Sequence, residues 1–522
     1  MSDRRRFIKH AGSVLTGAGL ATTLPNYAWG IVRRDGARPQ IQQGLQFGDV
    51  NANQGIVWSR SDRPARMWVD YSYTPSFHQF ETLRGPYALA TSDHTARIDL
   101  QGLQPDRQVY VRVRFQDLSN ERVMSAPVQG SFTTAPHNNS RSLHFLWSGD
   151  TAGQGYGINP DIGGMRIYRS MLNESPDFFI HSGDTIYADG PISATQTAEN
   201  GQVWRNIVTE DVSKVAETLG EFRGRYKYNM LDENVLAFNR SVPQIWQWDD
   251  HEVVNNWSSA KDLTEDSRFS EKNIPALVAR ASTAFLEYSP MRPFSAVEQS
   301  RVYRKISHGP LLDLFVIDMR SYRGPNSDNQ QVKPGPETAF LGHDQLHWLQ
   351  QSLLQSTATW KVIAADMPIG LLVPDGDDKF ENLANGDGEP VGRELEMAQL
   401  LRFIKRNSIH NLVWLTADVH YCAAHKYSPE NAVFKDFNPF WEFVAGPLNA
   451  GAFGPNKLDN TFGPEVVFHK YPPGPNYSPL SGFQFYGDIK IDQESQQLTA
   501  SLKDIDGKEV FSQRLDPVPA LD

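Results

Sequence analysis

Four times along this chain a short apolar run ends and an aspartate follows within a few residues. Leu143-His144-Phe145-Leu146-Trp147 leads into Ser148-Gly149-Asp150, and Phe178-Phe179-Ile180-His181 leads into Ser182-Gly183-Asp184. Gln244-Ile245-Trp246-Gln247-Trp248 leads into Asp249-Asp250-His251-Glu252, and Leu412-Val413-Trp414-Leu415-Thr416 leads into Ala417-Asp418-Val419-His420. Each apolar run is short enough for a buried strand, and sites in α/β folds form where loops converge at the carboxyl ends of strands. A lone Asp after a strand is an ordinary turn or helix-cap residue. Four in one stretch of chain are harder to explain that way. Gathered at one centre, these carboxylates would repel each other unless a multivalent cation neutralised them. The pattern predicts a metal site holding two cations, with the glycines before Asp150 and Asp184 allowing a sharp turn.

Around these motifs the periodicity predicts helices over Met165–Asn173, Val212–Ala237, Ile274–Tyr288, His343–Gln355 and Leu395–Asn407. Phe483–Ile491, Gln497–Lys503 and Glu509–Leu515 read as a closing strand meander. A mixed α/β domain is therefore expected over 141–522. Before it, residues 40–136 alternate in the manner of strands, as in Ala65-Arg66-Met67-Trp68-Val69-Asp70-Tyr71. Leu103-Gln104-Pro105-Asp106 followed by Val109-Tyr110-Val111-Arg112-Val113 resembles the turn and strand of fibronectin type III sandwiches. The linker is expected at 133–139, Pro374–Pro390 reads as a Gly- and Asp-rich loop, and Asp375-Gly376-Asp377-Asp378 within it, a calcium candidate by composition that lacks the EF-hand ligand order, reads as a solvated lid.

The first thirty residues read as an address. Arg4, Arg5, Arg6 and Lys9 precede a small-residue apolar run, Ala11–Leu24, and Ala28-Trp29-Gly30 offers a cleavage site. The run is short of the about 20 residues that span a bilayer, so stable membrane insertion is not expected. Arg-Arg-x-Phe-Ile-Lys resembles a twin-arginine signal, which implies export to the periplasm or beyond through the twin-arginine translocation machinery. The single Cys excludes a disulfide framework and fits a chain that folds before it leaves. A net charge of -11, which becomes about -14 once residues 1–30 are removed, argues against a sequence-specific nucleic-acid partner. Nothing in the sequence fixes an oligomeric state.

Gly183-Asp184-Thr185-Ile186-Tyr187, the block Trp248–Trp257 and Thr416–Tyr421 resemble the signature blocks of the PhoD-like alkaline phosphatases, metallophosphoesterases of the calcineurin-like superfamily. Asp318–Arg323 resembles a further family block. The resemblance implies a fibronectin-like sandwich followed by a four-layer αββα metallophosphoesterase domain. It also implies hydrolysis of phosphomonoesters and/or phosphodiesters by a metal-activated hydroxide. In that frame Asp184 bridges two metals, Asp150 and Tyr187 bind the first, and Asp250 binds the second. Asp418 and His420 complete the set. His251 stabilises the transition state or protonates the leaving alcohol, a task that suits its ordinary pKa. Asn255, Asn256 and Glu252 support the ligands, and Arg320 and Arg323 neutralise phosphate.

Asp150-Thr151-Ala152 lacks the superfamily's opening Asp-x-His. The donor set is rich in oxygen and poor in histidine, which favours Fe3+ and Ca2+, with Mg2+, Mn2+ or Zn2+ as further options. Cys422 reads as a small buried filler. Two alternatives stand beside the phosphoesterase: phospholipase D- or phosphotriesterase-type specificity on the same site, and a secreted metal-stabilised binding protein without catalysis.

Overall fold

A computed structural model describes residues 38–519. The expected signal at residues 1–30 lies outside the described residues. Two large sheets stack face to face. One has nine strands in the order Glu509–Leu515, Leu498–Asp504, Phe485–Ile491, Leu143–Ser148, Phe178–Ser182, Gln244–Gln247, Leu45–Gly48, Gln54–Arg60 and Thr95–Gln101. The other has seven, ordered Arg304–His308, Leu312–Val316, Trp360–Ala364, Leu412–Thr416, Phe440–Val444, Cys422–Tyr427 and Pro464–Lys470.

Side-chain alternation builds the layers. Leu143, Phe145 and Trp147 point between the sheets and meet Leu312, Leu314, Val316, Val413 and Leu415 in one buried cluster. Their neighbours of opposite parity, Leu146 and Phe179, face outward against helix Arg166–Asn173 and helix Glu233–Asn239. On the far side Phe315, Ile363 and Trp414 face helices His343–Leu354 and Glu394–Arg406. Strands buried on both faces explain why these runs carry apolar residues almost without interruption. The result is helix, sheet, sheet, helix, as the resemblance implied.

The stretch expected as one helix over Val212–Ala237 is two helices, Leu219–Asn229 and Glu233–Asn239. Asp232 separates them. Its carboxylate accepts from the backbone N–H groups of Asn234 and Val235, which starts a new helix instead of continuing the old one. The closing meander forms as expected and supplies one edge of the nine-strand sheet.

The N-terminal part is all-β. Glu81–Ala88, Ala65–Ser72, Gln108–Asp117 and Val128–Thr133 make a four-strand sheet. Three further early strands, Leu45–Gly48, Gln54–Arg60 and Thr95–Gln101, extend the nine-strand sheet. The seam is one residue wide, where Gly48 pairs in parallel with Gln244. A Cβ on Gly48 would fall 2.7 Å from the Gln244 carbonyl oxygen and 2.3 Å from that of Pro290, so only glycine permits the approach. No helix among the described residues is long and apolar enough to cross a membrane.

Candidate active site

Strands Leu143–Ser148, Phe178–Ser182 and Gln244–Gln247 are adjacent and parallel, so Asp150, Asp184 and the pair Asp249/Asp250 leave the nine-strand sheet side by side. Strand Leu412–Thr416 of the other sheet delivers Asp418 and His420. The loops are stitched together by backbone bonds, Thr151 N–H to Asp184 O at 2.9 Å and Asn449 N–H to Asp150 O at 3.0 Å. Asp150, Asp184, Asp418 and His420 all adopt left-handed backbone, with φ of 70°, 50°, 67° and 60°. Four non-glycine residues in that region at one centre mark stored strain of the kind that collects at functional sites. The sharp turn at the first strand is thus taken by Asp150 itself. At the second, Gly183 has φ 96°, and a Cβ there would lie 2.4 Å from that of Asp249.

Three overlapping groups offer ligand atoms within 4.8 Å of one another: Asp150, Asp184 and His420; Asp184, Asp250 and His251; and Asp249, Asp250 and Asp418. Asp184 belongs to two of them, and so does Asp250. Both Asp150 carboxylate oxygens, Oδ1 of Asp250 and Oδ2 of Asp249 accept no hydrogen bond. Burial, with Asp249 and Asp250 adding repulsion, pushes the Asp150 carboxyl well above its ordinary range. Burial and then Asp250 do the same to Asp184, and burial and then Asp249 to Asp418. Orphaned buried carboxylate oxygens that crowd one another fit a multivalent cation.

Tyr187 sits against this set. Its ring lies 4.3 Å from that of His251, and its hydroxyl is 2.9 Å from Nε2 of His420. His420 Nδ1 is hydrogen-bonded to the Gly451 carbonyl, which leaves Nε2 directed at Asp150 and Tyr187. Burial lowers the His420 pKa to about 4, so its ring is neutral, as a ligand must be.

His251 is held differently. Its backbone N–H donates to Asp184 Oδ1 at 3.1 Å, and Nδ1 lies 2.6 Å from Asp189 Oδ1. Burial disfavours its charged form, yet Asp189 and Asp250 outweigh burial and lift its pKa to about 10. Asp189 also accepts the Asn255 N–H at 3.0 Å. Glu252 accepts from Thr185 N–H, Thr185 hydroxyl, Asp184 N–H and Asp249 N–H, which ties the second and third strand ends together. Asn256 N–H donates to Asp250, and its amide donates to Asp375 Oδ1 at 3.0 Å.

Arg320 stands behind the centre and is only 1% exposed. Its guanidinium pairs with Asp249, with Glu381 at 2.6 Å and with Asp366 at 3.5 Å. Arg323 is also buried and donates to the Glu381 carbonyl and to Asn326 Oδ1. The stretch Pro374–Pro390 is therefore not solvated throughout, because Glu381–Asn385 is buried and Glu381 is drawn in by Arg320. Asp375 is tied down by Asn256 and Asn326, not left open as a cation loop. Cys422 is buried.

The acids missed from sequence are Asp189, Asp366 and Glu381; Asp249 stood in the third strand-end motif but was given no role of its own. Asp366 follows the strand Trp360–Ala364 by the same rule that exposed Asp150, so the signal was present. Asp189 lies in the loop after Asp184, and Glu381 in a loop distant in sequence; neither carries a local pattern.

This architecture and this cluster define a metal-dependent phosphoesterase. The sequence pattern of the family described as PhoD-like phosphatase matches residues 145–502, and that of its N-terminal domain matches 26–136. The chain belongs to the PhoD-like phosphatase family. It is 27% identical over 488 residues to alkaline phosphatase D of Bacillus subtilis (strain 168), covering 88% of this chain and 78% of that protein. Among solved structures it resembles PhoD with a TM-score of 0.67 at 20% identity, covering 92% and 90% of the two chains. It also resembles the purple acid phosphatase PPD1 from yellow lupin (Lupinus luteus) seeds, with a TM-score of 0.56 at 11% identity over 92% and 74% of the chains.

Proposed function

We propose that the chain is an exported phosphoesterase that hydrolyses phosphomonoesters and/or phosphodiesters at this carboxylate cluster, with Fe3+ and Ca2+ as the favoured cations. The observation that carries the reading is the pair of shared ligands, Asp184 and Asp250, within a cluster where both Asp150 oxygens and one oxygen each of Asp249 and Asp250 are orphaned. Asp150, Asp184, Tyr187 and His420 would hold one cation. Asp184 and Asp250, with Asp249 or Asp418, would hold its neighbour. When bound, the cations lower the pKa of water and neutralise phosphoryl charge.

The protein's own residues do the rest. His251 keeps its proton on the ring nitrogen facing the cluster and gives it to the departing alkoxide. Asp189 fixes the opposite nitrogen and so sets the ring's orientation and tautomer. Arg320 acts by balancing the charge of Asp249, Asp366 and Glu381, because it is buried in ion pairs with those acids and has no open face for phosphate.

Asp189→Asn is expected to lower kcat by about 10- to 100-fold. Metal content and KM should stay near those of the parent, and the basic limb of the pH–rate profile should shift. A fall in metal content instead would place Asp189 among the ligands. The whole reading is tested by elemental analysis beside a panel of mono-, di- and triesters. Stoichiometric metal with turnover of mono- or diesters supports it. Preference for the triester or a phospholipid would move the specificity, and tight metal without turnover of any ester would favour a binding protein. Export is tested separately by replacing Arg4 and Arg5 with Lys, which should retain the chain inside the cell.

A further inference from the structure

The four-strand sheet has an outer face whose chemistry opposes that of the rest of the molecule. Arg66 and Trp68 of strand Ala65–Ser72, Arg84 and Tyr87 of Glu81–Ala88, and Arg112 and Arg114 of Gln108–Asp117 share it by strand register. The guanidinium of Arg66 lies 4.7 Å from the Tyr87 ring, and that of Arg84 lies 5.6 Å from Trp68. Arg112 lies 4.7 Å from Phe77 and 5.3 Å from Phe80. Asp70, the buried acid beneath, pairs at 2.9 Å with both Arg112 and Arg114 and holds them in place. Large apolar side chains stay in solvent along the edge strand of this sheet: Phe80, just before strand Glu81–Ala88, is 48% exposed, Tyr87 within it 52%, and Leu89, just after it, 39%.

We propose that this face docks the protein onto an anionic lipid surface. The chain as a whole carries -11 and is repelled by such a surface. Charges beyond a Debye length of about 8 Å are screened at physiological salt, so the local arginines decide the contact. Arginine suits phosphate headgroups, and its stacking on rings fixes the guanidinium in advance. Aromatic side chains gain at the headgroup level, and an exposed Leu89 gains from an apolar boundary that a soluble polyanion does not offer. The chain's own residues 1–37 are poor occupants, because Arg4, Arg5, Arg6, Lys9, Arg33 and Arg34 outnumber Asp3 and Asp35. The contact is adsorption, not insertion, and it does not depend on the chemistry of the metal cluster.

The test is sedimentation of the full chain with vesicles of phosphatidylcholine, with and without phosphatidylglycerol. Binding is expected only to the anionic vesicles and should weaken as salt rises. At about 1 kcal/mol per basic residue near such a surface, each arginine is worth about fivefold in affinity. R66Q/R84Q should therefore bind about 25-fold more weakly, by the same scale. That pair leaves Arg112 and Arg114 on Asp70, so the fold is spared, and melting should confirm it. F80S/Y87S should also weaken binding, while both variants keep the parent's rate on a soluble ester. Equal binding to neutral vesicles, no loss in R66Q/R84Q, or capture of soluble polyphosphate with no vesicle binding would each overturn the proposal.

Discussion

Asp184→Asn is expected to leave a folded chain that neither retains its cations nor hydrolyses phosphate esters. Asparagine matches aspartate in shape, so the left-handed turn at φ 50° and the Thr151 backbone bond should survive. The substitution removes the one carboxylate that belongs to both the His420 group and the His251 group. A fall in kcat of at least about 10²–10³ is expected, the scale set by losing a main electrostatic contact.

Stability should move the other way when metal is absent. Asp150, Asp249, Asp250 and Glu252 all repel Asp184, so removing its charge relieves the metal-free protein. In chelator the variant should therefore melt at or above the parent. With metal the parent should win, because only it gains from binding. The sign with pH follows from the raised carboxyls. A folded pKa above the unfolded one gives stability that is present below the ordinary carboxylate range and lost as pH climbs through the folded value. Glu252 titrates at about 7, and Asp150 and Asp184 are held well above their ordinary range. The melting gap between metal-loaded and chelated parent should widen from acid to neutral pH. A variant that keeps full metal and full activity would sink the site as drawn.

Arg320→Met carries the largest expected effect on stability. Burial penalises the cation, but Asp249 and Glu381 more than compensate, and its pKa stays above the ordinary value. Methionine would leave Asp249, Asp366 and Glu381 buried without the guanidinium that pairs with them directly. Removing one partner of a buried pair destabilises by about 3–5 kcal/mol. Guanidinium denaturation of the metal-loaded variants measures it, and Arg320→Lys should recover part of the loss. If Arg320 instead contacted substrate phosphate, the variant would keep its stability and show a raised KM. The two outcomes separate cleanly.

The strand-end aspartates were legible because each follows a run buried on both faces, which reads as a strand without any partner in view. Convergence of two sheets on one centre was not legible residue by residue. It depends on strand Leu412–Thr416, inside the second sheet, ending at the same centre as three strands of the first, which no local pattern records. Arg320 shows the same limit. Its place in a block that resembles the family's suggested phosphate, but its surroundings are set by Glu381, some sixty positions away, whose own stretch looked like open loop. Asp189 was hidden for a simpler reason: a turn acid and an acid that grips a histidine have the same sequence signature.

The one-residue seam at Gly48 bears on how the chain acquires its fold. Strand Leu45–Gly48 is among the first described segments to be synthesised, yet its parallel neighbour Gln244–Gln247 comes long after the rest of the sandwich. The opposite edge of the same sheet waits longer still, for Glu509–Leu515. Such pairing between distant segments closes slowly, since large loops must be ordered before any bond rewards them. An unfinished sheet meanwhile offers bare backbone edges to other chains. For this molecule, the sheet cannot be completed until strand Glu509–Leu515 has been made. A chain released early would carry most of the aspartates and none of the closing strands.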